Sequence, residues 1–246
     1  MANSVRSPNR LLAALQSADF ELLRPHLKTV ELVHGEVLFD AGHPIKRAYF
    51  PHCGIISLVV ALKGRRTIEV AMIGRDSVVG GSLAFGSGWA LNKGIVLAPG
   101  VASIIDANRI RKAAETSAAL RNTLFRHEQV TSAQAQHSAA CNLTHTVEAR
   151  LSRWLLRSND LLGGGTLPVT QDLLAQMLGV RRTSVSPIAN NLKKAGLIKY
   201  AWGRIQIVDL ERLRDEACAC YVTVKAKTNR LLMGSQKRDT YDRGID

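Results

Sequence analysis

Acidic residues are scarce in this sequence. Asp and Glu total 20 against 33 Lys and Arg, a formal net charge of +13 over 246 residues. That imbalance suits a polyanionic partner, nucleic acid before a membrane surface. Cysteine is scarce too: Cys53, Cys141, Cys218 and Cys220 are too few and too scattered for a disulfide framework. Cys218 and Cys220 form a C-x-C, but no nearby histidine pair or second C-x-C completes a zinc site in the sequence. Buried or idle thiols are therefore expected, with no metal or other cofactor. Long apolar runs are missing. The longest, near Ile55 to Leu62, falls far short of a membrane span. Arg6 and Arg10 near the start are not followed by the apolar stretch and small-residue cleavage site of a signal peptide. A cytoplasmic, prokaryotic type of protein with no membrane partner is expected. Paired carboxylates, a nucleophile elbow and a Walker loop are also lacking, so an enzyme is not expected.

What is present changes in texture along the chain. Residues 9–27 read as one or two short amphipathic helices. From Val30 onward come short β-rich runs: VELVHGEVLF, RAYFPHCGIISLVVAL, RTIEVAMIG and GIVLAPGVASIID. Glycines punctuate them at turn spacing, which predicts an all-β barrel or sandwich. The glycine-rich segment from Gly80 to Gly94 is either a plain connection or a loop whose amides approach an anion. From Ala107 to Leu162 there is no proline and no glycine, and helix is expected nearly throughout. One stripe, Leu120, Leu124, His127, Thr131, Ala135, Ser138 and Asn142, is small and partly apolar, a weak coiled-coil signal. A later stripe, Val147, Leu151, Trp154 and Leu155, should bury in a second core. Gly163-Gly164-Gly165 marks a break. Residues 223–246 read as a basic, flexible tail.

The segment LAQMLGVRRTSVSPIANNLKKAGLI, from Leu174 to Ile198, carries the most specific pattern. Thr170 can cap a helix that buries Leu173, Leu174, Met177 and Leu178. Gly179 can make a left-handed corner. A second helix beginning near Arg182 then places Val185, Ile188 and Leu192 inward and closes at Gly196. Ala175, four before the corner glycine, and Val185, six after it, have the spacing needed by two helices crossing over a tight turn. Arg181, Arg182, Thr183, Ser184 and Ser186 are left at the outer start of the second helix, where helix-turn-helix proteins meet base edges. Lys193, Lys194, Lys199 and Arg204 add charge suited to phosphates. The only acid between Thr166 and Val208 is Asp172. Alternation around Arg204–Val208 predicts a β-hairpin with Trp202-Gly203 near its turn.

With these motifs, SAACNLTHTVEARLSRWLL, LPVTQDLLAQMLGVRRTSV and KKAGLIKYAWGRIQIVD, the chain resembles the Crp/Fnr family of bacterial transcription regulators from about Asn9 to Tyr221. The resemblance implies an α+β fold. A cyclic-nucleotide-binding-like β-roll, jelly-roll-like in kind, spans 1–116; a dimerisation helix spans 117–145; a winged helix-turn-helix spans 146–222. It implies a homodimer on a near-palindromic double-stranded operator, with RNA polymerase and an unidentified small-molecule effector as further candidate partners. The DNA-contacting set would be Thr170, Gln171, Arg181, Arg182, Thr183, Ser184, Ser186, Lys199 and Arg204. The dimer seam would be Leu120, Leu124, Thr131, Ala135 and Ser138.

The sequence also departs from that family. Its cyclic-nucleotide binders carry a Gly-Glu pair for the ribose and an Arg-Ser or Arg-Thr pair for the phosphate. Here the first pair is Gly80-Gly81, and Trp89 to Gly94 offers only Lys93. The degenerate pocket would comprise Gly80, Gly81, Ser82, Leu83, Asn92 and Lys93, and an effector other than a conventionally bound cyclic nucleotide, or none, is expected. The N-terminal cysteine cluster of the family's iron–sulfur oxygen sensors is missing. His26, His34, His43 and His52 are haem-ligand candidates by residue type alone. Pro187 stands where better-known members have a base-contacting arginine, so the second helix should start late or kink there. The alternative function is a ligand-sensing module acting through protein contacts without sequence-specific DNA binding.

Overall fold

The computed structural model describes residues 7–62, 67–86 and 88–233. Two short helices, α1 (Arg10–Ala13) and α2 (Ser17–Leu23), lead into five strands: β1 (Lys28–Leu32), β2 (Val37–Phe39), β3 (Arg47–Ala61), β4 (Thr67–Ile73) and β5 (Lys93–Asp106). All pair antiparallel in the order β1-β5-β3-β4, with β2 also on β5. The long strands β3 and β5 change register at Pro51/Cys53, Cys53/Ile55 and Ile55/Ile56. Such bulges bend a strand and raise its twist. The one sheet can therefore curl around the core of Phe50, Ile105, Leu83 and Leu23. A short 3₁₀ turn, Gly81–Phe85, sits between β4 and β5.

The proline- and glycine-free segment is three helices, not one. α3 (Ala107–Thr116) and α4 (Ala118–Thr144) meet at Ser117, and α5 (Val147–Leu162) follows His145 and Thr146. Ser117 and Thr146 each accept a first-turn amide, from Leu120 and Ala149, so both breaks are capped starts of new helices. α4 lies along the β-roll. Its Leu120 and Leu124 are buried in the same cluster as Phe50 and Leu83, and Ser138 donates to the Val70 carbonyl at 3.3 Å. This corrects the expected seam at Leu120 and Leu124; Thr131, Ala135 and Ser138 of the same seam are half-buried. Leu120 and Leu124 are already covered within the chain, and a second copy cannot reach them.

Beyond the glycine break come β6 (Thr166–Pro168), α6 (Gln171–Leu178), α7 (Arg182–Lys194), β7 (Ile198–Ala201), β8 (Arg204–Ile207) and α8 (Leu210–Asp215). The three strands form a small antiparallel sheet in the order β6-β8-β7. Leu151, Trp154 and Leu155 of α5 and Leu174, Met177 and Leu178 of α6 do not close a second core of their own. They share one cluster with Ile55, Val59, Met72 and Leu97 of the β-roll. Val147 is only half-buried. The last element, α9 (Cys220–Leu232), replaces the first part of the expected loose tail at 223–246. Val224, Thr228 and Leu231 recur at i, i+4 and i+7 and are buried, which is the periodicity of a packed helix face. Residues 234–246 of that expected tail lie outside the described residues.

Candidate nucleic-acid interface

The Thr170 hydroxyl accepts the Leu173 amide at 3.2 Å and starts α6. Gly179 ends α6 at φ +66°, a left-handed backbone that a side chain would strain. Its Cβ-free face lies against Ile68 of β4. Ala175, Val185 and Leu192 are buried between α6 and α7, and Ile188 packs against them half-buried. The Arg150 guanidinium donates to the Leu178 carbonyl, placing a cation at the carbonyl end of α6 where the helix dipole favours it.

α7 begins at Arg182 and is continuous through Pro187 to Lys194. The late start expected from Pro187 does not occur, since the proline sits beyond the first turn. It withdraws the amide that would bond the Thr183 carbonyl. Ser186, one residue earlier, donates its hydroxyl to Gln171 Oε1 at 2.6 Å, with the Arg182 carbonyl 3.1 Å away. Gln171 and Ser186 are thus half-buried and engaged with each other across the two helices. Arg181, Arg182 and Thr183 are exposed, Ser184 half-buried. Arg182 reaches back to Asp172 at 3.1 Å in a solvent-exposed pair. Thr183, Pro187, Asn190 and Lys194 form one exposed line along the helix. Asn190 was not singled out in the sequence, although its position seven residues after Thr183 puts it on the same face.

The hairpin β7–β8 turns at Trp202 and Gly203, both with positive φ, 52° and 67°. That is the backbone of a two-residue hairpin turn whose twist matches its strands. It leaves the Trp202 indole 99% exposed at the tip. Lys199 and Arg204 flank it, exposed. Arginines and lysines on the wing and a bare aromatic at its tip can meet a sugar–phosphate backbone, while the start of α7 can meet base edges.

These features agree with comparisons to known proteins. Residues 149–216 match the Crp-like helix-turn-helix domain family. The chain superimposes on FixK2 from Bradyrhizobium japonicum with a TM-score of 0.67 at 15% identity, covering 78% of this chain and 98% of that one. The chain has the Crp/Fnr fold. TTHB099, a CRP-family transcriptional regulator from Thermus thermophilus, gives a TM-score of 0.62 at 21% identity over 76% of this chain and 96% of that one. The c-di-GMP-responsive global regulator CLP of Xanthomonas campestris gives 0.60 at 16% identity over 78% and 99%. A comparison with curated proteins finds no match.

Within this Crp/Fnr fold the expected effector residues have other partners. Leu83 is in the core. A Cβ on Gly81 would stand 2.6 Å from Glu128 Oε1, so a carboxylate of α4 occupies the space over the turn. Lys93 is held by Asp40 at 3.1 Å. Gly80 is in the left-handed region, Ser82 and Asn92 are half-buried, and an anion at this turn would face Glu128. Of the haem-ligand candidates, His34 bonds the Leu97 carbonyl through Nδ1 at 2.8 Å, and His52 Nε2 lies 2.8 Å from Ser103 Oγ. His43 Nδ1 lies 3.2 Å from the Ala41 carbonyl.

The absence of a metal-binding set in the linear sequence does not survive folding. Cys141, near the end of α4, and His145, which caps it, come together with Cys218 and Cys220 at the start of α9; their ligand atoms all lie within 4.8 Å of one another. Burial pushes the Cys141 thiol up to about 12; contact with the neighbouring thiols adds to this and Arg153 opposes it. Local spacing in the sequence does not reveal the cluster, because Cys141 and Cys218 are 77 residues apart. The remaining signal was the i, i+4 spacing of Cys141 and His145 at the end of α4.

Proposed function

We propose that this chain is a homodimeric, cytoplasmic, sequence-specific DNA-binding transcription regulator that acts on a near-palindromic operator. The observation that carries the reading is the start of α7. Arg181, Arg182 and Thr183 stand exposed on a helix whose buried face is locked to α6, and Arg182 pairs with Asp172, the only acid in the sequence between Thr166 and Val208. In this arrangement Arg182 trades Asp172 for a guanine edge or a phosphate, and Thr183 and Asn190 lie along the same face. The Pro187 ring offers apolar surface there, suited to a thymine methyl. Lys194, Lys199 and Arg204 contact phosphates, and Trp202 packs on the sugar–phosphate backbone from the wing.

The dimer forms along the side of α4 that the β-roll leaves bare. Asn122, Phe125, Gln129, Ser132, Gln136 and Ala139 are exposed and alternate in steps of three and four, the spacing of a two-helix seam. The effector is not a conventionally bound cyclic nucleotide. The Glu128 carboxylate over Gly81 and the engagement of Lys93 by Asp40 support this, since both disfavour a phosphate at that turn.

Selection of the full-length protein on randomised duplex DNA tests the reading. A two-fold-symmetric motif with half-sites about one helical turn apart is the expected product. Binding that is equally strong on every sequence, with no motif enriched, would overturn it in favour of a module acting through protein contacts.

A further inference from the structure

The thiol–imidazole cluster shares no residue with the start of α7 or with the wing, and DNA reading does not use it. Cys141 Sγ and Cys218 Sγ are 3.8 Å apart. A tetrahedral ion with metal–sulfur bonds of about 2.3 Å sets its sulfurs roughly 3.8 Å apart. A disulfide needs about 2.05 Å and would leave a third thiol and an imidazole beside it unused. A cluster of several irons spreads its thiolates over different metal atoms, farther apart than one tight knot of four donors. The ligand atoms here all lie within 4.8 Å of one another.

The surroundings fit an ion as well. Cys141 and Cys218 are buried, and His145 Nδ1 is buried without a hydrogen-bond partner among the described residues. Buried polar atoms are ordinarily satisfied, so an orphan beside three thiols points to something that binds them. Arg150 and Arg153, on the next helix, stand close enough to Cys141 to act on its charge. Three thiolates, one neutral imidazole and one divalent ion leave a net negative charge, and those two guanidinium groups place positive charge beside it.

We propose that Cys141, His145, Cys218 and Cys220 hold a single zinc ion in a closed tetrahedral site. Its donors, three sulfurs and one nitrogen, are those of a structural zinc site, and four protein ligands leave no open position for chemistry. On binding, each thiol gives its proton to solvent and the imidazole binds as the neutral base. The ion sits at the joint between α4 and α5, because His145 immediately precedes Thr146, the cap of α5. It fastens that joint to the α8–α9 connection, where the Cys218 amide also reaches the Ala149 carbonyl at 3.4 Å. The zinc therefore sets the angle at which the winged helix-turn-helix leaves the long helix.

The test uses the full-length protein purified under reductant. Elemental analysis should find about one zinc per chain. After chelation, cobalt(II) should restore the visible absorption of a tetrahedral site with thiolate-to-cobalt charge transfer in the near ultraviolet. Cys218→Ser should lose stoichiometric metal, whereas Cys53→Ser, altered at an exposed and distant thiol, should keep it. If Cys218→Ser does not fold, the wild-type stoichiometry and cobalt spectrum still decide. Wild-type protein that takes up no zinc or cobalt would overturn the proposal. So would a Cys141–Cys218 disulfide in its place, or iron with labile sulfide. None of these readouts depends on DNA binding.

Discussion

The Arg157 guanidinium closes on both carboxylate oxygens of Asp76, at 2.7 and 3.1 Å, with the two side chains only 11% and 5% exposed. Arg157 belongs to α5, and Asp76 follows β4 in the β-roll, so this pair joins the helix-turn-helix half to the β-roll. Burial alone would raise the Asp76 carboxyl; the charge and hydrogen bonds of Arg157, with Ser77, hold it below the usual carboxylate range. Because the folded form binds its proton less readily than the unfolded chain, the pair's contribution is present at neutral pH. It is lost as pH falls below about 3.8 and through the depressed folded value. Asp76→Asn strands a buried guanidinium and should cost about 3–5 kcal/mol in urea unfolding at neutral pH. A loss within error of zero would show that the pair does not hold the halves together.

Glu69 behaves in the opposite sense. It is half-buried on β4, receives the Trp154 indole N–H at 2.7 Å and the Ser57 hydroxyl, and desolvation raises its carboxyl to about 7 against those bonds. The folded protein then keeps a proton that the unfolded chain has lost. Stability from this group is greatest below pH 4.5, declines as pH rises to about 7 and is level above it. The span corresponds to at most roughly 3 kcal/mol. Glu69→Gln should flatten that slope in urea unfolding between pH 5 and 8; an unchanged slope would assign it to other groups.

Phe125 and Leu143 are exposed at 52% and 88% on the outer face of α4, Phe125 with one edge against Phe85, while Leu120 and Leu124 are inside the chain. Phe125→Asp should therefore give a folded monomer in sedimentation analysis. Leu120→Asp should instead lower thermal stability by burying a charge. A Phe125→Asp protein that remains a dimer would place the seam elsewhere.

Trp202 occupies a positive-φ turn position and touches little. Trp202→Asn gives the Asn-Gly pair such turns prefer, so the melting temperature should hold or rise. Affinity for DNA should fall several-fold. An unchanged affinity would remove the wing tip from the interface.

Much of this was legible from residue order. Glycine-punctuated apolar runs announced the strands, and Ala175, Gly179 and Val185 announced the crossing of α6 and α7. The face of α4 was not legible, because small and polar residues lie on both its sides. Packing by the β-roll and α9 decides that Leu120 and Leu124 are covered, while Phe125 meets only the edge of Phe85 and keeps half its surface exposed. α9 was hidden by Lys225, Lys227 and Arg230, whose charges mask the buried line of Val224, Thr228 and Leu231. Ser186 looked free for DNA, but its bond to Gln171 spans two helices. The thiol cluster joins Cys141 to Cys218 across 77 residues, a distance that local spacing cannot bridge.

The most direct test of the central claim, that the start of α7 reads sequence, compares Arg182→Ala with Lys199→Ala on the selected operator and a scrambled duplex across a salt series. Arg182→Ala should lose about 1–3 kcal/mol of discrimination at one position in each half-site. Lys199→Ala should weaken both duplexes alike and reduce the salt slope by about one. Equal losses from both duplexes for both variants would contradict the claim, leaving α7 a basic helix that holds DNA without reading it.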